Sequence, residues 1–174
     1  PNFKPTITVI HGTRGAYEGA INWLCTPPHA RPDGTYSSAH FIIGKKYGQV
    51  TQLVDPKHQS WHAGRVNAPS WTARNLLKRK IGVPAIVPVP NSQYLNPNTY
   101  TIGIELELLT GETTKDLTLW QYDCAAALIK EFKLPTTLLM HKQITIDKSD
   151  FQDASGGYDT TPITEITKRL NKST

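Results

Sequence analysis

The run 100–109, YTIGIELELL, constrains the fold more than any other stretch of the chain, because its alternation and β-branched residues suit a strand. A chain that contains it must build a sheet. Residues two apart on a strand share a face, so Glu105 and Glu107 lie on the same side, and one face of that strand carries two carboxylates.

The segments around it alternate in kind. Residues 6–10 read as a buried strand that stops at His11-Gly12-Thr13 and delivers a histidine into a loop. From Tyr17 to Cys25 the apolar positions Ala20, Ile21, Leu24 and Cys25 recur at helical spacing, and Thr26-Pro27-Pro28 forbids continuation. Residues 38–43, a turn at 44–48 and residues 49–54 predict a β-hairpin. The stretch 66–98 predicts a helix over 71–80, then a proline-studded surface excursion, VPAIVPVPNSQYLNPN. Residues 116–132 predict a long helix with Leu117, Trp120, Cys124, Leu128 and Phe132 toward the sheet. A short apolar run at 138–140 ends at His141, and residues 161–170 predict a terminal helix with proline in its first turn. The fold class expected is α/β: a single domain over 1–174, with an insertion at about 66–98 and a central mixed β-sheet flanked by helices.

Composition narrows the class. The chain has 174 residues, 38% hydrophobic and 19% charged, which suits one globular domain with a real core and argues against disorder. No apolar run approaches the roughly 18 residues of a membrane span, and the N-terminal segment has no signal-peptide pattern. Stable membrane insertion is not expected. Cys25 and Cys124 allow at most one disulfide and cannot form a cysteine-rich zinc site, so any metal must be held mainly by histidine and carboxylate. The net charge of +5 suits an anionic partner. The basic cluster Arg74, Lys78, Arg79 and Lys80 has no interleaved aromatics of the kind that stack on single-stranded bases, so nucleic acid is not the expected partner. Taken by itself the cluster reads as a solvated helix face.

Of the six histidines, His11 and His141 share a context, each following directly on an apolar β-like run. A strand end fixes an imidazole while the next loop leaves one side open, as a catalytic metal with three protein ligands requires. Either Asp147 or Asp150 could complete such a set, and Lys148 between them could stabilise an oxyanion. Either Glu105 or Glu107 could accept the proton of an attacking water.

Five blocks in order, VIHGT, SSAHFIIG, QSWHAGR, YTIGIELE and MHKQITIDKSD, resemble the zinc-dependent N-acetylmuramoyl-L-alanine amidases of the type-2 family. That family is shared by bacteriophage endolysins, muropeptide-recycling amidases and animal peptidoglycan recognition proteins, and the resemblance runs from about Thr6 to Asp150. It implies an amidase-2 fold with zinc (Zn2+) held by His11, His141 and Asp150, the spacing leaving Asp147 as the alternative third ligand. It selects Glu105 as the catalytic carboxylate and Lys148 as its partner, and it places Trp61 and His62 on a wall of the substrate groove. Ala39 stands where family branches without the glutamate carry a tyrosine, in keeping with that choice. The implied activity is hydrolysis of the amide between N-acetylmuramic acid and L-alanine in peptidoglycan, by a bacteriolytic, antimicrobial monomer. As an endolysin it would sit in the host cytoplasm before release to the cell wall. The alternatives are a non-catalytic peptidoglycan-binding recognition module and a cytoplasmic muropeptide-recycling amidase.

Overall fold

The alternating run occupies the middle of a five-stranded sheet, where both of its edges are paired. The computed structural model describes residues 3–32, 34–64, 96–144, 151 and 159–172. Strands β1 (Ile7–Arg14), β2 (Phe41–Ile43), β3 (Val50–Gln52), β4 (Thr101–Leu109) and β5 (Leu138–Met140) are ordered β3-β2-β4-β1-β5. The β2–β3 hairpin is antiparallel and every other pairing is parallel, which makes the sheet mixed. The helices are α1 (Tyr17–Cys25), α2 (Leu119–Glu131), the single turn α3 (His141–Ile144) and α4 (Thr161–Leu170).

The period of two sorts chemistry between the faces of the sheet. On one face Ile102, Ile104, Leu106 and Leu108 of β4 join Ile10, Phe41, Ile43 and Met140 from the other strands. Tyr122, Ala125 and Ile129 of α2 and Ile166 of α4 cover them. Each Ile, Leu, Phe or Met among them stabilises the fold by about 1.5–3 kcal/mol on burial. The other face holds a smaller cluster, Ile7, Val9, Leu139 and Ile144, and on β4 it presents Thr101, Gly103, Glu105 and Glu107. The site is built on that polar face.

Strand β1 and helix α2 depart in detail from their sequence expectations. Strand β1 does not stop at Ile10 but continues through His11, because β4 runs alongside and offers ladder partners as far as Leu109. A bulge between Gly12 and Arg14 is bridged by the Thr13 hydroxyl, which accepts the Leu108 N–H at 3.1 Å. The buried positions of α2 are Gln121, Tyr122, Cys124, Ala125, Ala126 and Ile129; of the predicted stripe, Leu117 and Cys124 join the core, Trp120 and Leu128 pack against it partly buried, and Phe132 is 41% exposed. Ala125 and Ala126 give α2 a small-residue contact face, and the Gln121 amide is drawn inward to donate to the Glu107 carbonyl at 2.9 Å. In α1 only Tyr17 is buried, since the apolar side of this helix borders a cavity rather than the core.

The predicted helix at 71–80, the basic cluster and the proline-rich run to residue 95 lie outside the described residues. Cys25 is exposed, Cys124 is buried, and both are free thiols. Among the described residues no helix is long and apolar enough to cross a membrane.

Candidate metal centre

Parallel pairing of β1 with β5 puts Ile10 opposite Met140, so the next residue on each chain, His11 and His141, emerges beside the other. Both are buried, at 2% and 6% exposure, and their Nδ1 atoms face one another across 3.1 Å. A third imidazole, His62 from the loop 60–64, places its Nδ1 2.9 Å from His11 Nε2.

The protons on this cluster follow from its partners. A carbonyl only accepts, so His141 Nε2, 3.2 Å from the Ala63 carbonyl, carries its proton and donates it. The Thr101 hydroxyl donates to the Pro97 carbonyl at 2.7 Å and therefore accepts from His62 Nε2–H at 3.0 Å. Burial holds the His62 pKa well below its ordinary value, and the neighbouring His11 and His40 push the same way, so the ring is neutral. Its Nδ1 is then an acceptor, and His11 Nε2–H donates to it. Both candidate ligands thus donate from Nε2 into the protein, which leaves Nδ1 as the nitrogen that each turns toward the other.

That arrangement fits a metal ion. The two Nδ1 atoms face one another at 3.1 Å, and nitrogens bound at about 2.0–2.1 Å to a tetrahedral zinc are spaced at about 3.3 Å. Neutral imidazoles with the second nitrogen hydrogen-bonded to protein are the usual state of zinc-binding histidines. Among the described residues no group of three His, Cys, Asp or Glu side chains gathers as a metal site. The pair supplies two donors, and Asp147, Lys148 and Asp150 lie outside the described residues.

The two glutamates of β4 share a face but have separate surroundings. Glu107 accepts the Tyr17 N–H at 3.1 Å and the Lys45 N–H at 2.8 Å, tying the start of α1 and the hairpin turn to the sheet. Its negative charge at the first turn of α1 also complements the helix dipole. Glu105 is the register partner of His11 and lines the same cavity.

This cavity, of about 620 Å³, is bordered by His11, His62, His141 and Glu105 on the sheet side and by Gly19, Ala20, Trp23 and Leu24 of α1 on the other. The α1 wall is held by Arg31, which is buried and forks to the carbonyls of Thr26, Trp23 and Ser37 and to the Ser37 hydroxyl. Its guanidinium lies 4.7 Å from the Trp23 ring centre.

The family described as N-acetylmuramoyl-L-alanine amidase (Amidase_2) matches residues 1–153 of the sequence. The chain belongs to that family. A curated relative, N-acetylmuramoyl-L-alanine amidase A of Achromobacter lyticus, is 39% identical over 64 residues, which cover 37% of this chain and 33% of the relative. The chain therefore matches only about a third of that relative's length. Among solved structures it is similar to AmpDh3 from Pseudomonas aeruginosa, with TM-score 0.57 and 20% identity, covering 86% of this chain and 55% of that one. It is also similar to the amidase AmiD from E. coli, solved with anhydro-N-acetylmuramic acid-L-Ala-D-gamma-Glu-L-Lys, with TM-score 0.51 and 18% identity, covering 83% and 51%. These likenesses show an amidase fold with a central mixed sheet.

Within this amidase fold, His11, His141, Glu105 and His62 of the sequence-derived site border one cavity. Trp61 is not among its lining residues; its N–H donates to the Ser38 hydroxyl at 2.9 Å. Asn98 and Thr101, which hold the His62 loop, escaped sequence reasoning. The alternation of β4 could have found Thr101, since it shares the polar face with Gly103 and Glu105, but Asn98 sits in a proline-rich stretch without a pattern.

Proposed function

We propose that this amidase-family chain hydrolyses the amide between the lactyl group of N-acetylmuramic acid and L-alanine in peptidoglycan, with zinc held by His11, His141 and Asp150. The observation that carries the reading is the pair of buried imidazoles whose Nδ1 atoms face one another across 3.1 Å beside Glu105. The substrate named with AmiD supports the choice of bond. Bound zinc would supply polarisation of the scissile carbonyl and acidification of water near neutral pH. Glu105, standing across the strand pair from His11, takes the proton of the attacking water and passes it to the departing L-alanine nitrogen. The Lys148 ammonium, two residues before Asp150, offsets the charge that develops on the carbonyl oxygen. The chain acts as one catalytic domain.

Analysis of the groups released from purified sacculi tests this. The expected result is new L-alanine amino termini without new reducing sugar ends. Release of reducing ends, or of a different amine, would contradict it, and binding to sacculi without release would favour a recognition module. Giving the enzyme intact sacculi and soluble muropeptides in competition then separates a lysis enzyme from a recycling one.

A further inference from the structure

We infer that the loop 60–64 sets the proton positions of both metal-ligand imidazoles, with His62 and the Ala63 carbonyl as direct partners and Asn98 and Thr101 as positioning residues. This rests on the zinc reading above.

The loop touches each candidate ligand once, at the nitrogen away from the facing pair. His62 Nδ1 takes the proton of His11 Nε2 at 2.9 Å, and the Ala63 carbonyl takes that of His141 Nε2 at 3.2 Å. Neither contact would hold its geometry if the loop were free to shift. The Asn98 amide oxygen accepts both the His62 and the Ala63 backbone N–H at 2.9 Å. Its amide nitrogen donates to the Gly64 carbonyl at 2.9 Å and to Asn96 Oδ1 at 2.8 Å, so this fully buried side chain is satisfied at every position. Thr101 fixes the far side of the His62 ring through the relay to the Pro97 carbonyl. The ring also needs space. A Cβ on Gly103 would stand 2.4 Å from His62 Cγ, so the glycine of TIGIE is the gap into which this imidazole packs.

Acceptors on Nε2–H keep each ring in the tautomer whose Nδ1 binds metal and make that nitrogen a better donor. Both ring nitrogens of His62 are engaged inside the protein, with His11 and with Thr101. The structure therefore assigns His62 to holding His11 rather than to donating a hydrogen bond to substrate.

The test compares the parent with His62→Phe, which keeps a ring and loses both nitrogens, and with His62→Asn, whose side-chain oxygen can stand where Nδ1 does. Each is stripped of metal, checked for fold by circular dichroism, and titrated with zinc against a chromophoric chelator. The zinc affinity of His62→Phe should fall about 10–100-fold, and His62→Asn should recover most of that loss. Cobalt loaded in place of zinc should give an altered visible spectrum in His62→Phe and a parent-like one in His62→Asn. Unchanged affinity in His62→Phe, or an equal loss in both variants, would overturn the inference while leaving the zinc reading intact. A parent that binds no zinc overturns both. If His62→Phe does not fold, Thr101→Val takes its place, with a smaller loss of affinity expected and no loss overturning the assignment.

Discussion

Glu105 stands directly opposite His11 in the parallel register of β1 and β4, so both project from the sheet on one face and border one cavity. Two neighbouring strands thereby deliver a candidate ligand and a candidate proton carrier with backbone precision, on elements more rigid than any loop.

Glu105→Gln keeps the shape of the side chain and removes its basicity. Its kcat on sacculi should fall about 10²–10⁴-fold, with zinc content and thermal unfolding close to the parent. Steady-state rates and metal analysis on one preparation check this.

Glu107→Gln should do the reverse. This carboxylate accepts two backbone N–H groups, from Tyr17 and Lys45, and an amide retains only one accepting oxygen. A stability loss of about 1–3 kcal/mol is expected in denaturant unfolding, with activity per folded molecule near the parent's.

His40 links stability to pH. Burial pushes its pKa from 6.5 down to about 4, against weaker upward pulls from the His58 carbonyl and Asp55. Its Nδ1 accepts the Gly103 N–H at 2.9 Å, and its Nε2–H donates to the His58 carbonyl at 3.0 Å. Because the folded pKa lies below the unfolded one, the unfolded chain takes up a proton below pH 6.5 that the folded chain refuses. The contribution is complete above 6.5 and is lost as pH falls toward 4, by up to about 3 kcal/mol. His40→Asn, which keeps an acceptor and cannot titrate, should show a smaller drop in unfolding temperature between pH 7 and pH 5.

Arg31→Lys should loosen the α1 wall. A lysine can neither fork to the carbonyls of Thr26, Trp23 and Ser37 nor hold a planar guanidinium over Trp23. A loss of about 1–3 kcal/mol in stability is expected, together with a KM effect that exceeds the kcat effect, because Trp23 and Leu24 border the cavity at a distance from the reacting groups. Unfolding curves and saturation kinetics on soluble muropeptides check both halves.

Much of this centre was legible in the sequence because it obeys local periodicity. An apolar run that ends in histidine marks a strand whose next side chain leaves the core, which found His11 and His141, and alternation in YTIGIELELL put Glu105 and Glu107 on one face. What separates the two glutamates is tertiary: Glu107 is committed to Tyr17 and Lys45, segments 90 and 62 residues away in the chain. The same holds for Gln121, a polar residue drawn fully inside α2's contact with the sheet. The role of Gly103 was equally hidden, since the need for a missing Cβ exists only once His62 packs on it.

X-ray absorption at the zinc K edge of the purified protein tests the central claim most directly. The account predicts stoichiometric zinc with nitrogen and oxygen neighbours only, at about 2.0–2.1 Å, including outer-shell scattering from two imidazoles. A sulfur neighbour near about 2.3 Å, a single imidazole, or the absence of bound zinc would contradict it.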